Sequence, residues 1–334
     1  MSDARLLAGA LRDPVGTAAL NPAGWTALLT LARAELLLDA LAYRLGNLPV
    51  PDEVGAILND ARGAAEQQRR TALWEAEAVR RALAPLGVPV VLLKGTAYAA
   101  AGLLAGRGRS VGDCDILVPR EALDTVEAAL LGAGWEWVKP DAYDDAYYRR
   151  WMHELPPLIH RERNRMVDVH HTILPLTAQP KPDAGALIAD AVPLGKGLSV
   201  LSPADMIVHS AAHLFADGDL AGGLRNLWDI RCLLEEFGTD ELDTRAERHG
   251  LRSAVMRAVG QAHALFDTPI PEGWQVHGSG DAVFRRRLLA RDGWGRAVRP
   301  VTRLGFYARS HLLRMPPAML ARHLWIKWRK GVPA

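Results

Sequence analysis

Between residues 86 and 175 short β-branched and leucine runs alternate with helical stretches, while the chain on both sides reads as helix. That change of texture restricts the architecture more than any other feature, because sheet and helices must share one core there. Val88-Pro89-Val90-Val91-Leu92-Leu93 predicts a buried strand. A small-residue helix follows from Ala97 to Ala105, then the loop Gly106-Arg107-Gly108-Arg109-Ser110. Cys114 to Val118 predicts a second strand, and Pro119 opens a helix that runs to Leu131 and stops at Gly132 and Gly134. Trp135 to Val138, Leu155 to Arg161 and Met166 to His170 read as further strands, the last two joined by the turn Glu162-Arg163-Asn164. The expected class is α+β: a mixed-sheet core with helical N-terminal and C-terminal regions.

The flanks carry their own punctuation. Trp25 to Leu45 is apolar around much of its circumference and predicts one buried helix. Pro51 to Leu86 predicts a long amphipathic helix, closed by Pro85-Leu86-Gly87. Pro175 to Gly197 is rich in Pro and Gly and reads as a linker or covering loop. Ser202-Pro203-Ala204-Asp205 is a helix start, with Ser as N-cap and Pro in the first turn. The expected organisation is a helical region over 1–85, an α/β core over 86–175 and a helical domain over 176–334.

Composition narrows the function classes. The chain has 334 residues, 49% of them hydrophobic, enough for a sizeable core. Its net charge is +2, so a nucleic-acid partner, which usually demands a strong basic excess, is not expected. The two cysteines, Cys114 and Cys232, cannot build a disulfide framework or a cysteine zinc site. The N-terminal residues lack a signal-peptide pattern and no apolar run is long enough to span a membrane, so a cytoplasmic protein is expected.

Asp113-Cys114-Asp115-Ile116-Leu117-Val118 is the stretch richest in chemistry. Residues two apart on a strand share a face, so Asp113 and Asp115 present two carboxylates side by side. Hard anionic oxygens at a strand end are what Mg²⁺ requires, together with phosphate oxygens and water. The plainer alternative is a polar pair ending a strand at the surface. Three neighbours weigh against it. Lys94-Gly95-Thr96 follows a strand and opens a helix. There Gly95 lets a phosphate approach the backbone, Thr96 offers a hydroxyl and Lys94 a positive charge. Arg107 and Arg109 bring guanidinium groups next to the acids, which suits a triphosphate, although a solvated loop has the same composition. Asp168 interrupts the apolar strand Met166-Val167-Asp168-Val169-His170, where a lone acid is costly without a partner. A metal shared with Asp113 and Asp115 would supply one. His170 falls on the face of Asp168, and His171 on the other.

Three segments, Gly87 to Gly95, Arg109 to Val118 and Val167 to His170, resemble the uncharacterised bacterial nucleotidyltransferases of the polymerase-β-like superfamily. The resemblance covers roughly residues 80–235 and extends through Leu201-Ser202-Pro203-Ala204-Asp205, His209, His213 and Leu224 to Ile230. It departs from the superfamily at Lys94-Gly95-Thr96, where many members carry Gly-Ser. The resemblance implies a nucleotidyltransferase-type mixed-sheet core. It further implies transfer of a nucleoside monophosphate from a nucleoside triphosphate, ATP first among them, to a hydroxyl-bearing acceptor, with release of pyrophosphate. The acceptor would be a small molecule, a glycan precursor, or a peptide or protein. By the same resemblance Asp113, Asp115 and Asp168 hold Mg²⁺, with Mn²⁺ as a substitute, and act as the catalytic acids. Asp168 would also help deprotonate the acceptor, and Lys94, Gly95, Thr96 and Arg109 would meet the phosphates. The alternatives are a non-catalytic nucleotide- or partner-binding protein on the same fold and a kinase-like phosphotransferase.

Other residues have competing readings. His209 and His213 stand four apart on a helix, but without a Glu in an H-E-x-x-H pattern, packing is favoured over zinc. Arg225 and Asp229 are spaced for a stabilising helix pair. Trp135, Trp137, Tyr143, Tyr147, Tyr148 and Trp151 form an aromatic cluster, by default core and alternatively a stacking wall. His153-Glu154 would border the site. Arg299 to Lys330 mixes basic residues with Leu, Met and Trp, so it either covers the core or contacts an anionic membrane from the side.

Overall fold

The computed structural model describes residues 3–138, 141–271, 274 and 279–330. Four helices open the chain: Arg5–Arg12 (α1), Pro22–Ala34 (α2), Leu38–Leu45 (α3) and Asp52–Leu83 (α4). The expected single helix from Trp25 to Leu45 is thus two. Leu36 takes φ 56, and Leu37 N donates to Ala32 O at 2.7 Å, closing α2 without a glycine. The break lets α2 and α3 fold against each other, and both contribute to one core through Leu28, Leu31, Leu41 and Leu45. A continuous apolar rod would have left part of its circumference in water.

The sheet has seven strands in the order β3-β4-β5-β2-β1-β7-β6. They are Val90–Leu92 (β1), Asp113–Leu117 (β2), Trp135–Trp137 (β3), Leu158–His160 (β4), Met166–His170 (β5), Val192–Gly195 (β6) and Leu198–Val200 (β7). β2 pairs parallel with β5 and antiparallel with β1, and β1 pairs parallel with β7. The end of the stretch expected to be a linker therefore supplies the edge strand β6, and β7 follows directly after it. Gly195, Lys196 and Gly197 all take positive φ (94°, 55° and 87°) and turn the chain back as a hairpin. The helices Lys94–Ala100 (α5), Leu123–Gly132 (α6), Ala142–Trp151 (α7) and Ala184–Ala189 (α8) connect the strands.

Helix α4 ties the N-terminal region to the sheet. Its buried Glu75 accepts from Arg163 Nε at 2.9 Å, and Arg163 lies in the β4–β5 turn. The guanidinium also stacks over Trp74 and Trp135. After β7 the chain is helical: Pro203–Ala211 (α9), a π-helical turn Ala212–Asp217, Gly223–Phe237 (α10), Leu242–Arg248 (α11), Arg252–Phe266 (α12), Ser279–Leu288 (α13), Pro300–Arg314 (α14) and Pro317–Lys330 (α15). Ser202 caps α9, its Oγ accepting from Asp205 N at 3.3 Å. The basic C-terminal stretch forms α14 and α15. Arg314 pairs with Asp217 at 2.7 Å, and Trp325 is 55% exposed, while the side chains of Leu324 and Trp328 lie outside the described residues. Among the described residues no helix is long and apolar enough to cross a membrane. Cys114 and Cys232 are both free and buried.

Candidate active site

Strand register brings the three acids together. Asp115 stands opposite Asp168 in the parallel β2–β5 pair, and Asp113 opposite Met166. Side chains alternate along a strand, so all three carboxylates emerge on one face. An oxygen from each lies within 4.8 Å of the others. Ligands at roughly 2.0–2.6 Å from one divalent cation fall within such spacing, and an all-oxygen set suits a hard ion. The residues present therefore fit a divalent metal.

The three carboxyls differ in surroundings. Asp113 is exposed, Asp168 half-buried and Asp115 buried at 2% exposure. Burial alone would raise Asp115. Lys94 Nζ at 2.6 Å and His170 Nε2 at 2.9 Å, both on its Oδ1, outweigh that and hold the carboxyl below its usual range. Asp168 is pushed up to about 7, first by burial and then by the negative charges of Asp115 and Glu154. A cation among the three acids would relieve that repulsion.

Lys94 leaves β1 with φ 47, a left-handed conformation uncommon outside glycine. That turn aims its ammonium back at Asp115. Burial acts to lower the Lys94 pKa, but the charge and hydrogen bond of Asp115, together with the charges of Glu154 and Asp113, outweigh it and raise it. Gly95 leaves no room for a side chain: a Cβ there would stand 1.9 Å from Arg109 Nη1 and 2.9 Å from its Cζ. The space over Gly95 is thus filled by a guanidinium of this chain. Thr96 is buried and its hydroxyl donates to Asp113 O at 3.1 Å, which anchors α5 to the start of β2. Arg109, 8% exposed, donates from Nε to Asp229 Oδ2 at 2.8 Å and lies over the Tyr98 ring. The structure therefore brings Lys94 to the acids, while Gly95, Thr96 and Arg109 pack beneath them. Arg107 is exposed.

Several contacts around the site have no local signal in the sequence, beyond the expectation that His153-Glu154 borders it. Asp229 takes its ion pair from Arg109, 120 positions away, rather than from Arg225 one helical turn before it. Arg225 reaches Ser110 O at 3.4 Å. Glu154 bridges to His170 in an isolated antiparallel contact, placing a second carboxylate beside that ring. His209 and His213 are held neutral, His209 well below its usual value and His213 near about 4, first by burial and then by Lys94. Among the described residues neither joins a group of three convergent metal-ligating atoms. Trp135 is buried edge-on against His160 at 5.0 Å, and Trp137 and Trp151 are exposed.

Comparison with known proteins finds one family: residues 21–267 match the family described as uncharacterised nucleotidyltransferase. No curated protein matches the chain.

Proposed function

The chain belongs to the uncharacterised nucleotidyltransferase family, and on that premise we propose a metal-dependent transfer of a nucleoside monophosphate from ATP or another nucleoside triphosphate to an acceptor hydroxyl, releasing pyrophosphate. The observation that carries this reading is the convergence of Asp113, Asp115 and Asp168 from two adjacent parallel strands. These three would hold Mg²⁺. When bound, the ion neutralises charge developing on the phosphates.

The chain's own groups divide the remaining work. Lys94, with its side chain 26% exposed and its ammonium on Asp115, is the cation that would meet the triphosphate. Asp168, which would ligate the ion, is also placed to accept a proton from an attacking hydroxyl. His170 and Lys94 keep Asp115 ionised and correctly turned. Gly95, Thr96 and Arg109 would act beneath the phosphate site by fixing the β1–α5 turn against β2.

The test is incubation with Mg²⁺, candidate acceptors and nucleoside triphosphates labelled separately at the α and γ positions. α-Label on an acceptor together with released pyrophosphate supports the reading. Release of nucleoside diphosphate with γ-label on the acceptor would replace it by a kinase-like reaction.

A further inference from the structure

His170 sits between two carboxylates and uses each ring nitrogen differently. Its Nε2 lies 2.9 Å from Asp115 Oδ1. A carboxylate only accepts, so in a neutral His170 the ring proton belongs on Nε2, and the Nδ1 lone pair is then left open. Nδ1 is buried with no hydrogen-bond partner, on a side chain only 1% exposed. It points toward Glu154, whose Oε2 is 3.3 Å away.

His153 completes the group. Its ring stacks on His170 with centroids 5.2 Å apart, and its Nε2 is 3.7 Å from the same Glu154 oxygen. Its Nδ1 is likewise buried without a partner. One ligand atom from each of His153, Glu154 and His170 lies within 4.8 Å of the others. Ligands about 2.0–2.2 Å from a tetrahedral ion stand roughly 3.3–3.6 Å apart, close to the 3.3 and 3.7 Å that separate Glu154 Oε2 from the two rings.

We propose that His153, Glu154 and His170 form a second metal site, distinct from the three aspartates and selective for Zn²⁺ or a similar borderline divalent ion. Two imidazoles and one carboxylate suit Zn²⁺ with an open fourth position, whereas Mg²⁺ favours oxygen alone. Asp115 supplies the supporting contact typical of such sites, a carboxylate accepting the second ring N–H of a ligating histidine. The His153 and Glu154 side chains are 12% and 20% exposed, which leaves an ion a route in. The site goes beyond the transfer reaction and does not depend on it.

The experiment is a Zn²⁺ titration of the chelator-stripped full chain against a chromophoric competitor, with Co²⁺ absorption reporting the ligand set. One tightly bound ion per chain is expected, and it should persist in Asp113→Asn and Asp168→Asn. His153→Gln and Glu154→Gln should each weaken Zn²⁺ by more than about 100-fold. Asp115→Asn should weaken it ~10–100-fold, the usual cost of losing a supporting contact. Thermal melts confirm that each variant is folded, and either ligand variant alone suffices. The proposal is overturned by an absence of Zn²⁺ binding in the wild type. It is also overturned if binding survives His153→Gln or Glu154→Gln in folded protein, or is lost in Asp168→Asn.

Discussion

Asp115 and Asp168 are register partners on adjacent parallel strands, yet their surroundings move their carboxyl groups in opposite directions. Lys94 and His170 hold Asp115 below its usual range against the effect of burial. Among the described residues Asp168 has no such donors, and it rises to about 7 through burial and the charges of Asp115 and Glu154. With no metal bound, two like groups thus differ: Asp115 stays an anion, while Asp168 exchanges a proton near neutrality.

Replacing either member should remove activity without removing the fold. Asp115→Asn and Asp168→Asn keep side-chain size but delete a charge. If the acids hold the metal, the loss of several kcal/mol of charge stabilisation lowers turnover by at least about 10²-fold. Pyrophosphate release, measured beside circular dichroism, checks this. Near-normal turnover in Asp168→Asn would remove that residue from the mechanism.

The raised carboxyl of Asp168 also sets a pH dependence of stability. A carboxyl with a higher pKa in the folded state stabilises the fold fully below its ordinary value of 3.8, and that contribution is lost as pH rises through about 7. Asn resembles the protonated form at every pH. In chelator, Asp168→Asn should therefore match the wild type near pH 4 and exceed it above pH 7, by ~2–4 kcal/mol at most. The comparison must be with the variant, because His171 acts oppositely. Burial and then Arg120 lower its pKa to about 4, so its contribution is present above 6.5 and lost as pH falls through about 4. Melting curves from pH 4 to 8 read the difference, and a gap independent of pH would contradict the assignment. Millimolar Mg²⁺ should stabilise the wild type and narrow the gap.

The Arg109–Asp229 pair joins the β1–β2 region to α10 and is almost wholly buried. Asp229→Ala leaves a buried guanidinium without its carboxylate and should destabilise by ~3–5 kcal/mol. Arg109→Met combined with Asp229→Leu should recover most of that. Denaturant unfolding measures both. If the double variant folds well but binds triphosphate more weakly, Arg109 also serves the phosphates directly.

Gly95→Ala tests the packing beneath the acids. The added methyl meets the Arg109 guanidinium and stands 3.1 Å from Val111 Cγ2. Arg109 is pinned by Asp229, so it cannot swing clear at little cost. Overpacking of this kind costs about 1–3 kcal/mol. A variant as stable as the wild type would show that Arg109 has another resting place.

Local pattern in the sequence determined a good part of this protein. Asp113 and Asp115 share a face because side chains on a strand alternate, and that period is written in the order of residues. Asp168 was legible as an acid out of place between Val167 and Val169, and Ser202-Pro203 as a helix start, because burial cost and capping act within a few residues. The mixed sheet between helical regions followed from the same short-range signals. What needed the tertiary structure depends on contacts between distant residues. The opposition of Asp115 to Asp168 is a choice of strand register. The pairing of Arg109 with Asp229, and of His170 with Glu154, comes from how α10 and the chain after α7 pack against the strands. The break at Leu36 and the β6–β7 hairpin were hidden for a related reason. An apolar run is compatible with one helix or two, and a stretch rich in Pro and Gly with a loop or an edge hairpin. Only the surface each segment can bury against its neighbours decides between them.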